Sequence, residues 1–103
     1  MEKITQDSYK LYINGQWIDA SDGATFQTRC PANGEGLATC AQATREDVDQ
    51  AVDAAWAAFR SWKNVTTNER AAILNRIADI IDANAEHLAM IESLDNGKPI
   101  RET

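Results

Sequence analysis

The chain is poor in the residues that most enzymatic chemistry requires. It holds one histidine and two cysteines, so it cannot assemble a His-based metal cluster or a Ser-His-Asp triad by itself. Basic residues number 10 against 16 acidic ones, for a formal net charge of −6. Without a basic stripe to neutralise phosphates, nucleic acid is excluded as an expected partner. No apolar run approaches the roughly 18 residues of a spanning helix, and Met1 to Asp7 carry no signal-peptide core. The expectation is therefore no membrane partner and a cytoplasmic location. Two prolines and five glycines are too few for a fibrous or low-complexity chain, whereas 44% hydrophobic and 25% charged residues are ordinary globular material. At 103 residues the chain is at most one domain.

The organisation changes once along the chain. Residues 1–8 are polar and aperiodic and read as a flexible N-terminal arm. Asn14-Gly15, Asp22-Gly23 and Asn33-Gly34 then set turns between short β-prone runs. A two-residue turn at Asn14-Gly15 would place Tyr12 opposite Trp17 and Leu11 opposite Ile18, in a hairpin apolar on both faces and expected to be covered on both. Thr25 to Arg29 and Leu37 to Gln42 supply two more strands. From Thr44 onward the period is helical. Thr44 with Asp47, and Thr66 with Glu69, form capping boxes. Val48, Val52, Ala55, Phe59 and Trp62 make an inward stripe of the first helix, Leu74, Ile77 and Ile81 one of the second, and Leu88 and Ile91 one of the third, which Asn84 would cap. Gly97 is placed to stop that helix in the left-handed conformation, and Pro99 to open the next. Only Ile100 to Thr103 follow, too few to complete a helix, so the chain reads as the front piece of a larger protein.

These landmarks carry a resemblance. Glu92-Ser93-Leu94-Asp95-Asn96-Gly97-Lys98-Pro99 closely resembles the "E-[TS]-L-D-N-G-K-P" signature of the NAD(P)-dependent aldehyde dehydrogenase superfamily. Tyr12-Ile13-Asn14-Gly15-Gln16-Trp17 resembles its "Y-I-N-G-x-W", and Pro31-Ala32-Asn33-Gly34-Glu35 its "N-P-x-T-G-E". Asp47-Val48-Asp49-Gln50-Ala51-Val52 with Ala57-Ala58-Phe59, and Arg70 through Ala78, are similar to two family helices. The motifs follow in family order from Tyr9 to Thr103. The resemblance implies an α/β aldehyde dehydrogenase-like fold. In it, short N-terminal strands and a hairpin followed by about three α-helices make residues 9–103 the incomplete N-terminal part of the cofactor-binding domain. The Ile100-Arg101-Glu102-Thr103 ending resembles bacterial members acting on acetaldehyde and other short aliphatic aldehydes. Betaine-aldehyde and aminoaldehyde specificity stay open.

The family implied here oxidises an aldehyde to a carboxylic acid with NAD or NADP through a cysteine thiohemiacetal and a thioester. Its nucleophile, its glutamate and its phosphate-binding glycines lie in contexts that do not occur in this sequence. The chain is therefore expected to contribute no catalytic and no cofactor-binding residue and to be inactive alone. Aldehyde substrate would meet the missing domains, and the whole enzyme would be a homo-oligomer. Cys30 and Cys40 have neighbours that supply no base, so they are expected to be reduced, small buried hydrophobes rather than nucleophiles. Cys30 also departs from the family, where Asn commonly precedes the proline, and is expected to loosen that turn.

Two roles are open for Asp95. Several family members hold a sodium or potassium ion with this aspartate and main-chain oxygens that correspond to Thr28 and Arg29, and hard cations favour such oxygens. Alternatively Asp95 accepts backbone N–H groups near the helix end. Asp47, Asp49 and Asp53 read as a solvated acidic face suited to a helix N-terminus. His87 reads as a surface residue, Trp17 and Trp62 as core, and Trp56 as partly exposed. A reading from another class stands beside the enzyme one: a free-standing interaction module or truncated product that binds a partner through its helical faces.

Overall fold

The computed structural model describes residues 5–103. Strands β1 (Ser8–Tyr9), β2 (Leu11–Ile13), β3 (Gln16–Ile18), β4 (Thr25–Arg29) and β5 (Gly36–Ala41) precede helices α1 (Arg45–Trp62), α2 (Thr67–Ala83) and α3 (Ala85–Asn96), and a 3₁₀ turn closes the chain at Ile100–Glu102. Apart from β1, which was not expected, the order of strands and helices is the expected one.

The hairpin forms as its turn residues require. Asn14 and Gly15 both take positive φ, 53° and 75°, the condition for a turn that matches strand twist. The register pairs Leu11 with Ile18 and Tyr12 with Trp17. One face is half-buried through Leu11, Ile13 and Ile18. The other is open: Tyr12 and Trp17 meet with their rings tilted at 45° and centroids 4.7 Å apart yet are 61% and 67% exposed. The expectation of cover on both sides, and of a core role for Trp17, is thus corrected.

The second sheet has the order β1-β5-β4. β4 and β5 are antiparallel, with a register shift between Thr28 and Arg29. β1 lies parallel to β5, Ser8 beside Thr39 and Tyr9 beside Cys40. Of the eight residues read as a loose arm, the first four lie outside the described residues. The others are attached to the sheet: Thr5 Oγ1 donates to the Leu37 carbonyl at 3.0 Å, and the Asp7 carbonyl accepts the Thr39 N–H at 3.0 Å. The β4–β5 connection closes through its backbone, Cys30 N–H to the Glu35 carbonyl at 2.8 Å and Gly34 N–H to the Cys30 carbonyl at 2.7 Å. That closure uses the backbone of residue 30 and not its side chain.

Both capping boxes are present, with Thr44 accepting from Asp47 and Thr66 from Glu69. Asn84 departs from expectation. Its amide donates to the Ile80 carbonyl at 2.8 Å, ending α2, and its side chain makes no cap bond to α3.

The main surprise is what the helices bury. Among the described residues the buried apolar positions are Ala20, Cys30 and Ala38. α1 turns Ala51 and Ala54, not its large residues, toward partial cover. Phe59 and Trp62 remain 48% and 44% exposed, so the inward stripe of α1 and the core role of Trp62 are corrected. Every residue of α2 is exposed, although Leu74, Ile77 and Ile81 stripe it as expected. The result is a slab of 48 × 36 × 19 Å with a radius of gyration of 17.0 Å, against about 13 Å for a closely packed chain of this length.

Candidate functional site

A cavity of about 340 Å³ lies between α3 and the three-stranded sheet. Thr28 from β4, Tyr9 from β1 and Cys40 from β5 form one side; Leu88, Ile91 and Asp95 from α3 form the other. The last turn of α3 brings Asp95 there. Gly97 ends the helix with φ 79° and donates to the Ser93 carbonyl at 2.9 Å, and a methyl group at its Cα would stand 3.5 Å from Pro31. The end of α3 is therefore seated beside the residues that follow Thr28 and Arg29.

The geometry distributes the expected site residues as follows. Thr28 and Asp95, 67 positions apart, line the same cavity. The Thr28 hydroxyl donates to the Ala38 carbonyl across the ladder at 3.5 Å. The Arg29 side chain points to the turn, its Nη1 donating to the Gly34 carbonyl at 3.2 Å, so only the main chain of Arg29 is next to the cavity-lining Thr28. The backbone N–H beyond the helix end goes elsewhere: Asn96 Oδ1 accepts the Lys98 N–H at 2.7 Å. Among the described residues no group of three or more His, Cys, Asp or Glu side chains is placed to hold a metal ion.

Cys30 is buried and Cys40 half-buried, both as free thiols. His87 is exposed on α3, as expected. Trp56 is 64% exposed, also as expected.

One carboxylate departs from the expected solvated face. Asp47 is 2% exposed. Its Oδ2 accepts the Thr44 N–H at 2.9 Å and the Ser21 N–H at 3.1 Å. Those two backbone donors, Thr44 first, hold its carboxyl below the usual carboxylate range despite burial. Ser21 Oγ and Thr44 Oγ1 lie 2.9 Å apart, completing a knot that ties the β3–β4 loop to the start of α1. The capping box was legible locally; the Ser21 contact, from 26 positions away, had no sequence signal. Among the described residues no helix is long and apolar enough to cross a membrane.

Comparison with known proteins places this arrangement. The profile described as the aldehyde dehydrogenase family matches residues 17–103. Acetaldehyde dehydrogenase 2 of Cupriavidus necator is 46% identical over 98 residues, which are 95% of this chain and 19% of the relative. An aldehyde dehydrogenase of Vibrio cholerae is 47% identical with the same coverage of both, 95% and 19%. Among solved structures, the NAD+ complex of the Bacillus cereus aldehyde dehydrogenase superposes with a TM-score of 0.87 at 45% identity, covering 91% of this chain and 20% of that one. An NAD-dependent aldehyde dehydrogenase of Sinorhizobium meliloti gives 0.90 at 37% identity, covering 95% and 20%. The chain thus spans about a fifth of the length of the relatives it matches.

Proposed function

This chain belongs to the aldehyde dehydrogenase family, and on that premise we propose that it forms the N-terminal part of the cofactor-binding domain of an NAD(P)-dependent enzyme oxidising an aldehyde to a carboxylic acid. The observation that carries the reading is the superposition on an NAD-dependent family member over 95% of the chain. In this reading the segment supplies no nucleophile, and Cys30 and Cys40 are free thiols, buried and half-buried. The segment's work is architectural. The Asp47 knot fixes where α1 leaves the sheet, and the Gly97 stop fixes where the chain leaves α3. The proposal extends to a homo-oligomeric, cytoplasmic enzyme, as membership of the family implies.

A monovalent cation belongs to the same proposal. Its ligands would be the Asp95 carboxylate and the main-chain oxygens of Thr28 and Arg29. The donor set fits, because carboxylate and carbonyl oxygens are what a hard cation takes, and Thr28 and Asp95 line one cavity. The ion would supply a structural tie between β4 and α3 rather than any chemical step.

The test is a chimera in which this sequence replaces the matching residues of the Cupriavidus necator enzyme. The expected result is NAD-dependent oxidation of acetaldehyde by the chimera, at no less than about a tenth of the parent rate, and none by purified 1–103. A folded but inactive chimera, or turnover by 1–103 that Cys30→Ala or Cys40→Ala abolishes, would overturn it.

A further inference from the structure

We propose that Asn14 is a site of spontaneous covalent modification: the Gly15 nitrogen attacks its side-chain amide, and the hairpin turn ages to aspartyl and isoaspartyl forms while the comparable steps elsewhere in the chain are held unreactive. Aspartate or asparagine precedes glycine at Asn14-Gly15, Asp22-Gly23, Asn33-Gly34 and Asn96-Gly97. Such a step is the least hindered for this cyclisation, because glycine has no Cβ to obstruct the approach of its nitrogen to the preceding side chain. Local sequence therefore ranks the three asparagine steps alike. The folded chain does not.

Three of the four steps have both reacting groups committed. Asp22 Oδ1 accepts the Ala24 N–H at 2.9 Å, and the Gly23 N–H donates to the Ala20 carbonyl at 2.8 Å. Asn33 Oδ1 accepts the Glu35 N–H at 3.0 Å, and the Gly34 N–H donates to the Cys30 carbonyl at 2.7 Å. Asn96 Oδ1 accepts the Lys98 N–H at 2.7 Å, and the Gly97 N–H donates to the Ser93 carbonyl at 2.9 Å. Each side chain is thus held against the N–H two residues on, and each glycine nitrogen keeps its proton in a hydrogen bond. At Asn14-Gly15 neither hold exists among the described residues: the Asn14 side chain and the Gly15 N–H make no hydrogen bond. The two-residue turn pairs Ile13 with Gln16 and leaves the Gly15 N–H outside the ladder. Both turn residues are exposed, and a Cβ built on Gly15 would meet nothing within 4 Å. Asn14 also opens onto a depression of about 430 Å³ that it shares with Gln50 and Asp53 of α1, so water reaches the reacting amide.

The Gly15 nitrogen forms a bond to Asn14 Cγ as it gives up its proton, the Cγ–Nδ2 bond breaks, and ammonia leaves. One water then opens the cyclic imide. Opening at Cγ restores the main chain as aspartate; opening at the main-chain carbonyl reroutes the chain through Cβ and Cγ as isoaspartate. The added methylene lengthens a two-residue turn, and the register that this turn sets, Leu11 with Ile18 and Tyr12 with Trp17, is lost.

The experiment incubates 1–103 at mildly alkaline pH, in buffer and in concentrated urea, and follows each asparagine by peptide mass mapping that resolves the isoaspartyl from the aspartyl product. In buffer Asn14 should convert at least about tenfold faster than Asn33 or Asn96, a factor equivalent to about 1.4 kcal/mol, close to the net worth of one hydrogen bond. In urea the difference should collapse. Conversion of Asn33 or Asn96 in buffer at or above the rate of Asn14 would overturn the proposal, and so would an unchanged ranking in urea, since local sequence would then set the rates. By nuclear magnetic resonance the isoaspartyl chain should lose the Tyr12–Trp17 ring contact, which Asn14→Asp, with the charge but not the added methylene, should keep. A contact retained in the isoaspartyl chain would refute the loss of register.

Discussion

Replacing Gly97 by alanine separates two ways in which the end of α3 can be constrained, backbone conformation and space. A Cβ built on Gly97 would stand 3.5 and 3.6 Å from Pro31 carbons, ordinary contact with no clash to relieve. The φ of 79° is the problem. An L side chain in the left-handed region costs about 1–2 kcal/mol, and about 0.4–1 kcal/mol of that is offset because alanine restricts the unfolded chain. The net expectation is a loss of about 1 kcal/mol, which for a domain this small corresponds to roughly 4–8 °C in melting temperature. Urea unfolding of 1–103 followed by circular dichroism measures it, with Gly97→Asn and Gly97→Val alongside. Asparagine tolerates positive φ and should lose less than alanine; valine, stiff at Cβ, should lose more. If alanine proved as stable as glycine, or valine equal to alanine, backbone strain would not be what reserves this position for glycine.

Two further outcomes are expected. The Asp47 carboxyl has a folded pKa below its unfolded value of about 3.9, so its contribution is complete above about pH 4 and is lost as pH falls through the folded value; urea midpoints at neutral and acid pH should fall more steeply in the parent than in Asp47→Asn, and equal slopes would remove the knot from the account of acid stability. Asp95→Ala in the chimera should abolish any rise in melting temperature on adding sodium or potassium relative to an ionic-strength control with a bulky organic cation, whereas identical responses of parent and mutant would eliminate Asp95 as a ligand.

What the sequence determined by itself lies within four residues of its cause. The Asn14-Gly15 turn dictates the pairing of Tyr12 with Trp17 because a two-residue loop leaves one register. Thr44 with Asp47 and Thr66 with Glu69 start α1 and α2 because side-chain oxygens three residues away reach the first free N–H groups. Gly97 stops α3 because glycine takes positive φ at no steric cost. The family, too, was legible, since its motifs are made of these same local devices. Tertiary structure decided the rest. β1 is two residues long and has no periodicity to read; only β5, some 30 positions later, makes it a strand. Ser21 turns Asp47 from a helix-start acid into a buried knot, and the placement of α3 opposite the sheet sets Thr28 and Asp95 on one cavity. The apolar stripes of α1 and α2 are visible in the sequence, but a periodic stripe says only which side of a helix can be buried. Whether it is covered depends on what other surface is there, and among the described residues Trp56, Phe59 and Leu74 stay open.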